Sequence, residues 1–125
     1  MNITDKYNMT QEENIFYAKR NLVDSIWKEA MLEGVPFTFP ETQTIVEGMK
    51  LDGKKEDDIV KVRNLKHSWE FLFDSIDYPL DFRYIKQMNH EVGKEGIVLN
   101  AGMLRNSEVS IGGTEWKPAI PDEEI

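Results

Sequence analysis

The residues that could perform acid–base or metal chemistry in this chain are few and widely spaced. His67 and His90 each fall on a predicted helix, and neither has a second histidine at a ligand spacing such as H-x-x-x-H. The acidic run "KKEDD" lacks the alternating oxygen ligands and the central glycine of a calcium loop. Asp74, Asp77 and Asp81 flank a proline, as turn and cap residues do. These residues therefore predict no catalytic constellation and no metal site.

Composition excludes several further classes of protein. The chain has 125 residues, 40% of them hydrophobic and 30% charged, as in one soluble globular domain. It has no cysteine, which excludes a disulfide scaffold, a cysteine-ligated zinc site and a thiol nucleophile. A formal net charge of −8 argues against non-specific nucleic-acid binding. No apolar run approaches a membrane span, and the polar N-terminus does not resemble a signal peptide. We expect a cytoplasmic protein with neither nucleic acid nor membrane as a partner.

Hydrophobic periodicity predicts a mainly α fold, a bundle of about three to four helices with one β-hairpin near the C-terminus. We expect one unit over residues 1–125, with a flexible N-terminus at 1–9. Thr10 and Glu13 form a capping box at the start of a helix over 10–34. A short helix over 40–48 carries Glu47, and two core helices span 56–93. The second of these is expected to bury the following apolar residues: Phe82, Ile85, Met88 and Val92.

The predicted hairpin covers residues 102–118. Val109 and Ile111 alternate with Glu108 and Ser110, and two glycines then turn the chain. A lone two-stranded ribbon is marginally stable in water, so it should pack on something or offer an edge to a partner. Recognition by strand addition uses such an edge.

Glu47 is unusual because it closes a short predicted helix directly before Gly48. A carboxylate at a helix C-terminus is badly placed for the helix dipole, which favours cations there. This position suggests that Glu47 has a partner such as an arginine.

The segment "GMLRNSEVSIGGTEWKPAIP" resembles the one that precedes the catalytic core in Fic proteins. In that family a pattern like G-x-x-R-x-x-x-V-x-I-G-G, followed by a proline, forms a hairpin called the flap. The matching positions are Gly102, Arg105, Val109, Ile111, Gly112, Gly113 and Pro118. The region from Glu41 to Ile76 is also similar to the family, with an "E-G" helix, a charged spacer and a helix that carries Asn64 in "VRNLKHSWEF". The resemblance covers residues 10–121.

This resemblance implies protein adenylylation, the transfer of AMP from ATP to a hydroxyl group of a target protein with Mg²⁺ as cofactor. The flap residues Val109, Ser110 and Ile111 would dock the backbone of the target, with Arg105, Gly112 and Gly113 in the same hairpin. The family's catalytic histidine and phosphate-binding arginine lie in a motif of the form H-x-F-x-[DE]-G-N-G-R, which these 125 residues do not contain. The resemblance therefore places no catalytic residue in this chain, which alone should bind no ATP tightly.

The resemblance also gives Glu47 and Gly48 a regulatory role. In the family such a glutamate pairs with the phosphate-binding arginine and blocks productive placement of ATP. The family pattern is [ST]-x-x-x-E-[GN], and here Gln43 stands where it has Ser or Thr.

The resemblance thus describes the N-terminal part of a Fic-type enzyme. Its partners would be a target protein segment and a catalytic core supplied by the rest of the polypeptide or by a second chain. A homo-oligomer is compatible with it. The alternative is a non-enzymatic, acidic helical protein, antitoxin-like, that binds a partner through its edge hairpin.

Overall fold

Three of the helix starts are set by side chains that satisfy the first free backbone N–H groups. Thr10 Oγ1 accepts a hydrogen bond from the Glu13 N–H, and the Glu13 carboxylate accepts one from the Thr10 N–H, so the predicted capping box is confirmed. Thr38 and Glu41 form a second capping box further along the chain. Asp81 caps the last helix, as predicted for a cap residue beside the proline turn.

The computed structural model describes Thr4 and residues 6–122, and within these the fold is mainly helical, as predicted. The five helices are α1 (Gln11–Arg20), α2 (Leu22–Leu32), α3 (Phe39–Val46), α4 (Glu56–Asp74) and α5 (Phe82–Gly93). None of them combines the length and apolar character needed to cross a bilayer. Part of the predicted flexible segment 1–9 lies outside the described residues.

The expectation of three to four helices is wrong because the predicted helix over 10–34 is divided in two. The break lies at Asn21, whose side-chain amide and backbone N–H both donate to the Tyr17 carbonyl, at 2.9 and 3.1 Å. Asparagine side chains compete in this way for helix carbonyls. The shorter helix predicted over 40–48 is present as α3, and the two core helices over 56–93 are α4 and α5.

The buried core lies between α2, α3, α4 and the loop that joins α2 to α3. Its apolar members are Ile26, Ala30, Val35, Phe37, Ile45, Ile59 and Val62. Phe37 lies in this loop, whereas Phe39, Pro40 and Glu41 already belong to the first turn of α3, where a proline is tolerated because its backbone nitrogen needs no hydrogen bond. The Trp27 indole N–H donates to the Phe37 carbonyl at 2.9 Å and ties this loop to α2.

Helix α5 is fixed to α4 by a buried polar group rather than by apolar contacts alone. The side chain of Asn64 in α4 is 1% exposed, and its Nδ2 donates to the carbonyls of Val92 at 3.2 Å and Lys94 at 2.8 Å. Helix C-termini leave carbonyls without intrahelical partners, and Asn64 satisfies two of them. The end of α5 is therefore held at one place on α4.

The apolar face of α5 is more exposed than its periodicity predicts. Phe82, Ile85 and Val92 were expected to be buried but are 43%, 54% and 40% exposed. The described part of the chain places only one side of α5 against α4 and leaves this stripe without an apolar cover. Amphipathic periodicity indicates that a face is apolar, and does not indicate what will cover it.

The predicted β-hairpin over 102–118 is also wrong, since no strand forms among the described residues. The segment contains a turn in which the Thr114 N–H donates to the Ile111 carbonyl at 3.2 Å, but no ladder extends from it. Val109 and Ile111 are 40% and 45% exposed, so neither is buried against the helices in the described chain. A ribbon without a hydrophobic face to bury is not stable by itself.

The buried amide predicts a specific loss of stability. Replacing Asn64 with alanine leaves two carbonyls without their donor, so we expect the free energy of unfolding to fall by about 2 kcal/mol, measured by urea denaturation. The control Arg63→Ala removes an exposed side chain from the same helix and should cost less than about 0.5 kcal/mol. Equal losses for the two variants would contradict the role given to Asn64.

Candidate functional site

The chain after α5 folds back on the end of that helix before it enters the 102–118 segment. The Val98 N–H donates to the Gly93 carbonyl at 2.9 Å. Gly93 is buried, and a Cβ built there would lie 2.9 Å from the Cβ of Val98 and 3.2 Å from that of Ala101. The close approach of residues 98–101 therefore depends on the missing side chain at Gly93.

Gly102, the first position of the flap pattern, joins the segment to α5. Its N–H donates to Asn89 Oδ1 at 2.9 Å, and the His90 Nδ1 lies 3.3 Å from the Ala101 carbonyl. Gly102 has φ +79°, and a Cβ there would lie 2.7 Å from His90 Cβ. Both the backbone conformation and the lack of space require glycine. His90, which the sequence did not assign to a site, therefore borders the base of the segment.

Arg105 closes the segment. Its Nη1 donates to the Ser107 carbonyl at 2.9 Å and its Nη2 to the Ala119 carbonyl at 2.6 Å. One guanidinium thus joins two points of the chain that are twelve residues apart in sequence, through charge-assisted hydrogen bonds. Beyond it, Gly112 and Gly113 lie in the turn that the Ile111–Thr114 hydrogen bond closes.

The positions between Arg105 and the turn are presented outward. Val109, Ser110 and Ile111 are all exposed. The N–H and carbonyl groups of Val109 and Ser110 make no hydrogen bond within residues 6–122. The segment is therefore a loop that is fixed at its base and carries unpaired backbone groups at Val109 and Ser110. Such an unpaired edge can accept a strand from another chain.

Glu47 is the C-cap residue of α3, and Gly48 follows it with φ +81°. The Gly48 N–H donates to the Ile45 carbonyl and the Met49 N–H to the Thr44 carbonyl, both at 3.0 Å. These two bonds form a Schellman motif, which explains the glycine. The motif does not explain the glutamate. The Glu47 side chain is exposed and accepts a hydrogen bond from Gln43 Nε2 at 3.2 Å, so Gln43 contacts the carboxylate from the position where the family pattern has Ser or Thr.

The helix that carries Glu47 is fixed at its other end as well. Lys54, in the loop after α3, forms an ion pair of 3.0 Å with Glu41 in the first turn of α3. The Thr38 N–H in the capping box and the Lys54 ammonium together hold the pKa of Glu41 below its usual range. The loop that follows Glu47 thus returns to the start of the same helix and is joined to it there.

No catalytic or metal chemistry is assembled among the described residues. His67 Nδ1 is buried on α4 without a hydrogen-bond partner there, and His90 serves the base of the 102–118 segment. Within Thr4 and residues 6–122, no group of three or more His, Asp or Glu side chains is arranged to hold a metal ion. The structure brings Arg105 and the two glycines of the flap pattern into one loop, whereas the Glu47 carboxylate is bonded to Gln43 within α3, and no hydrogen bond or ion pair among the described residues joins it to this loop.

Gly102 and Gly112 of the flap pattern should respond differently to replacement by alanine, because only Gly102 is closely packed. Gly102→Ala should detach the segment from α5, because the added Cβ meets His90 and the residue has positive φ. Gly112→Ala is the control, since a Cβ there meets nothing within 4 Å. We expect amide hydrogen exchange over residues 97–106 to rise by about tenfold or more in Gly102→Ala and to stay unchanged in Gly112→Ala. The same exchange rate in both variants would show that Gly102 does not fix the segment.

Comparison with known proteins supplies no relative for this chain. It matches no family model, no curated protein and no solved structure. Its function therefore has to be inferred from its own residues and their arrangement.

Proposed function

We propose that the chain is the N-terminal part of a Fic-type protein adenylyltransferase, and that its task is to present the 102–118 segment to the target protein. The observation that supports this most strongly is a division among the flap-pattern positions. The residue types at Gly102 and Arg105 are explained by contacts within the chain, because Gly102 attaches the segment to α5 and Arg105 closes the loop. The Ile111 carbonyl closes the turn, but the side chains of Val109 and Ile111 have no such explanation within residues 6–122, where both are exposed beside the unpaired backbone of Val109 and Ser110.

A target strand paired with this edge would exchange main-chain hydrogen bonds with Ser110, since the N–H and carbonyl of one residue point to the same edge of a strand. The exposed Val109 and Ile111 side chains would then contact alternate side chains of the target. In adenylylation the enzyme contributes mainly positioning and charge neutralisation, because the phosphoryl chemistry needs the hydroxyl in line with the leaving group. The loop would provide that positioning, while ATP and Mg²⁺ would bind to the catalytic core carried by the rest of the polypeptide or by a second chain.

Glu47 would regulate this reaction in the proposed enzyme. Its carboxylate is exposed at the fixed end of α3, with Gln43 as its hydrogen-bond partner. An arginine that binds the ATP phosphates would form a stronger, charge-assisted pair with it than Gln43 does. That pair would keep the arginine away from the nucleotide until α3 moves.

One prediction of the proposed function concerns docking of the target. In the polypeptide that joins this chain to the catalytic motif, Ser110→Pro removes one backbone donor from the proposed edge. We expect transfer of AMP from α-labelled ATP to the target to fall by about fivefold, since a lost main-chain hydrogen bond is worth about 1 kcal/mol. The measurement is label incorporated into the target with time.

The control for docking is Glu115→Pro, an exposed position beyond the turn that makes no hydrogen bond in the described chain. It should transfer AMP at the wild-type rate. Residues 1–125 alone should bind no ATP tightly and incorporate no label. Labelling of the isolated chain would overturn the proposal, and stable binding of a partner without any AMP transfer by the longer polypeptide would favour the antitoxin-like alternative.

Another prediction of the proposed function concerns the regulatory role of Glu47. In the same longer polypeptide, Glu47→Gly should raise the rate of AMP transfer by about tenfold or more, because it removes a charge-assisted hydrogen bond to the arginine. The readout is again label incorporated from α-labelled ATP.

The chain offers a matched control for Glu47 at the end of α2. Glu33 is the C-cap of that helix, and Gly34 follows it with φ +80° and hydrogen bonds of the same pattern. Glu33→Gly should leave AMP transfer unchanged. An equal gain from both substitutions would assign the effect to helix-end flexibility, and no gain from Glu47→Gly would remove its regulatory role.

A further inference from the structure

An apolar groove runs along α4 between α1 and α5. Its floor is formed by Leu65, Trp69, Leu72 and Ile76, with Ile15 of α1 on one side and Val92 of α5 on the other. It consists of two open cavities of about 440 and 220 Å³ that share Trp69 and Leu72. We refer to it as the α4 groove. From Leu65 to Ile76 it extends about 16 Å along the helix axis, which matches about three turns of a second helix.

One carboxylate lies in the wall of this groove. Glu29 of α2 lines the smaller cavity, where its Oε2 accepts a hydrogen bond from the Trp69 indole N–H at 3.3 Å. Its Oε1 makes no hydrogen bond within the described residues. Burial raises the pKa of Glu29, with the Trp69 hydrogen bond opposing that effect in part. A half-buried carboxylate with one free oxygen in an apolar wall is suited to a cationic partner.

We propose that the α4 groove binds an amphipathic helix of a partner polypeptide whose apolar face carries one lysine or arginine that pairs with Glu29. The dimensions of the groove fit the helix-in-groove mode of recognition. The apolar floor of the groove would contact the apolar side chains of the partner helix, and the free Oε1 of Glu29 would accept a hydrogen bond from its lysine or arginine.

Charge favours another polypeptide over a second copy of this chain as the occupant. Each copy carries a formal net charge of −8, so association of two copies brings like charges together, whereas a basic helix is attracted. The groove shares no residue with the 102–118 segment or with Glu47. The inference therefore holds whether or not the chain belongs to an adenylyltransferase.

The test uses residues 1–125 and designed helical peptides of 14 residues. Each peptide has leucine at positions i, i+3, i+4 and i+7 of one face, and a single lysine replaces one of these leucines at successive positions through the series. A second series has norleucine in place of that lysine. Binding is measured by fluorescence anisotropy of the labelled peptides with wild-type chain and with Glu29→Gln, which keeps an acceptor for Trp69 and removes the charge.

We expect at least one lysine peptide to bind the wild-type chain saturably and to bind Glu29→Gln about tenfold more weakly, while its norleucine counterpart binds both chains equally. Leu72→Glu should block both series, and Leu32→Glu, at an 88% exposed leucine outside the groove, should block neither.

Three results would overturn the inference. The first is that no peptide binds saturably. The second is that Glu29→Gln weakens the binding of the lysine and norleucine peptides equally. The third is that the wild-type chain sediments as a dimer that Leu72→Glu dissociates. The last would make a second copy the occupant. The Glu29→Gln comparison remains decisive if Leu72→Glu does not fold.

Discussion

The buried amide of Asn64 is the interaction on which the arrangement of the later chain depends. It donates to two carbonyls at the end of α5 and so fixes where that helix stops on α4. Residues 98–101 then pack on Gly93, Gly102 packs on His90, and Arg105 closes the loop that follows. These contacts follow one another along the chain. They connect the exposed edge at Val109 and Ser110 to the core through both hydrogen bonds and close packing at two glycines.

The sequence predicts those elements whose causes are local. The capping box at Thr10 and the cap at Asp81 depend on residues a few positions apart, which a single sequence displays. The start of α3 at Phe39 could have been found in the same way, from the T-x-x-E pattern of Thr38 and Glu41. The break at Asn21 could not, because the apolar stripe continues across it and one side-chain hydrogen bond decides the outcome.

The sequence does not predict contacts that depend on partners distant along the chain. The stripe of Phe82, Ile85 and Val92 correctly indicates an apolar face of α5, yet nothing within the described residues covers it. Alternation around Val109 predicts a strand, yet a strand needs a partner to pair with, and no second strand lies beside it among the described residues. In both places the wrong prediction marks a surface suited to another polypeptide. The roles of Asn64, His90 and Glu29 likewise become visible only from contacts 11 to 40 residues away in sequence.

Two surfaces thus remain open on one small helical body, a backbone edge at residues 109–110 and the α4 groove with Glu29. The central claim is that the edge belongs to an adenylyltransferase whose catalytic motif is encoded together with it. Sequencing the coding DNA beyond the Ile125 codon tests this most directly. The account predicts an open reading frame that continues into H-x-F-x-[DE]-G-N-G-R. A stop codon directly after Ile125 would contradict it and leave a free-standing binding protein.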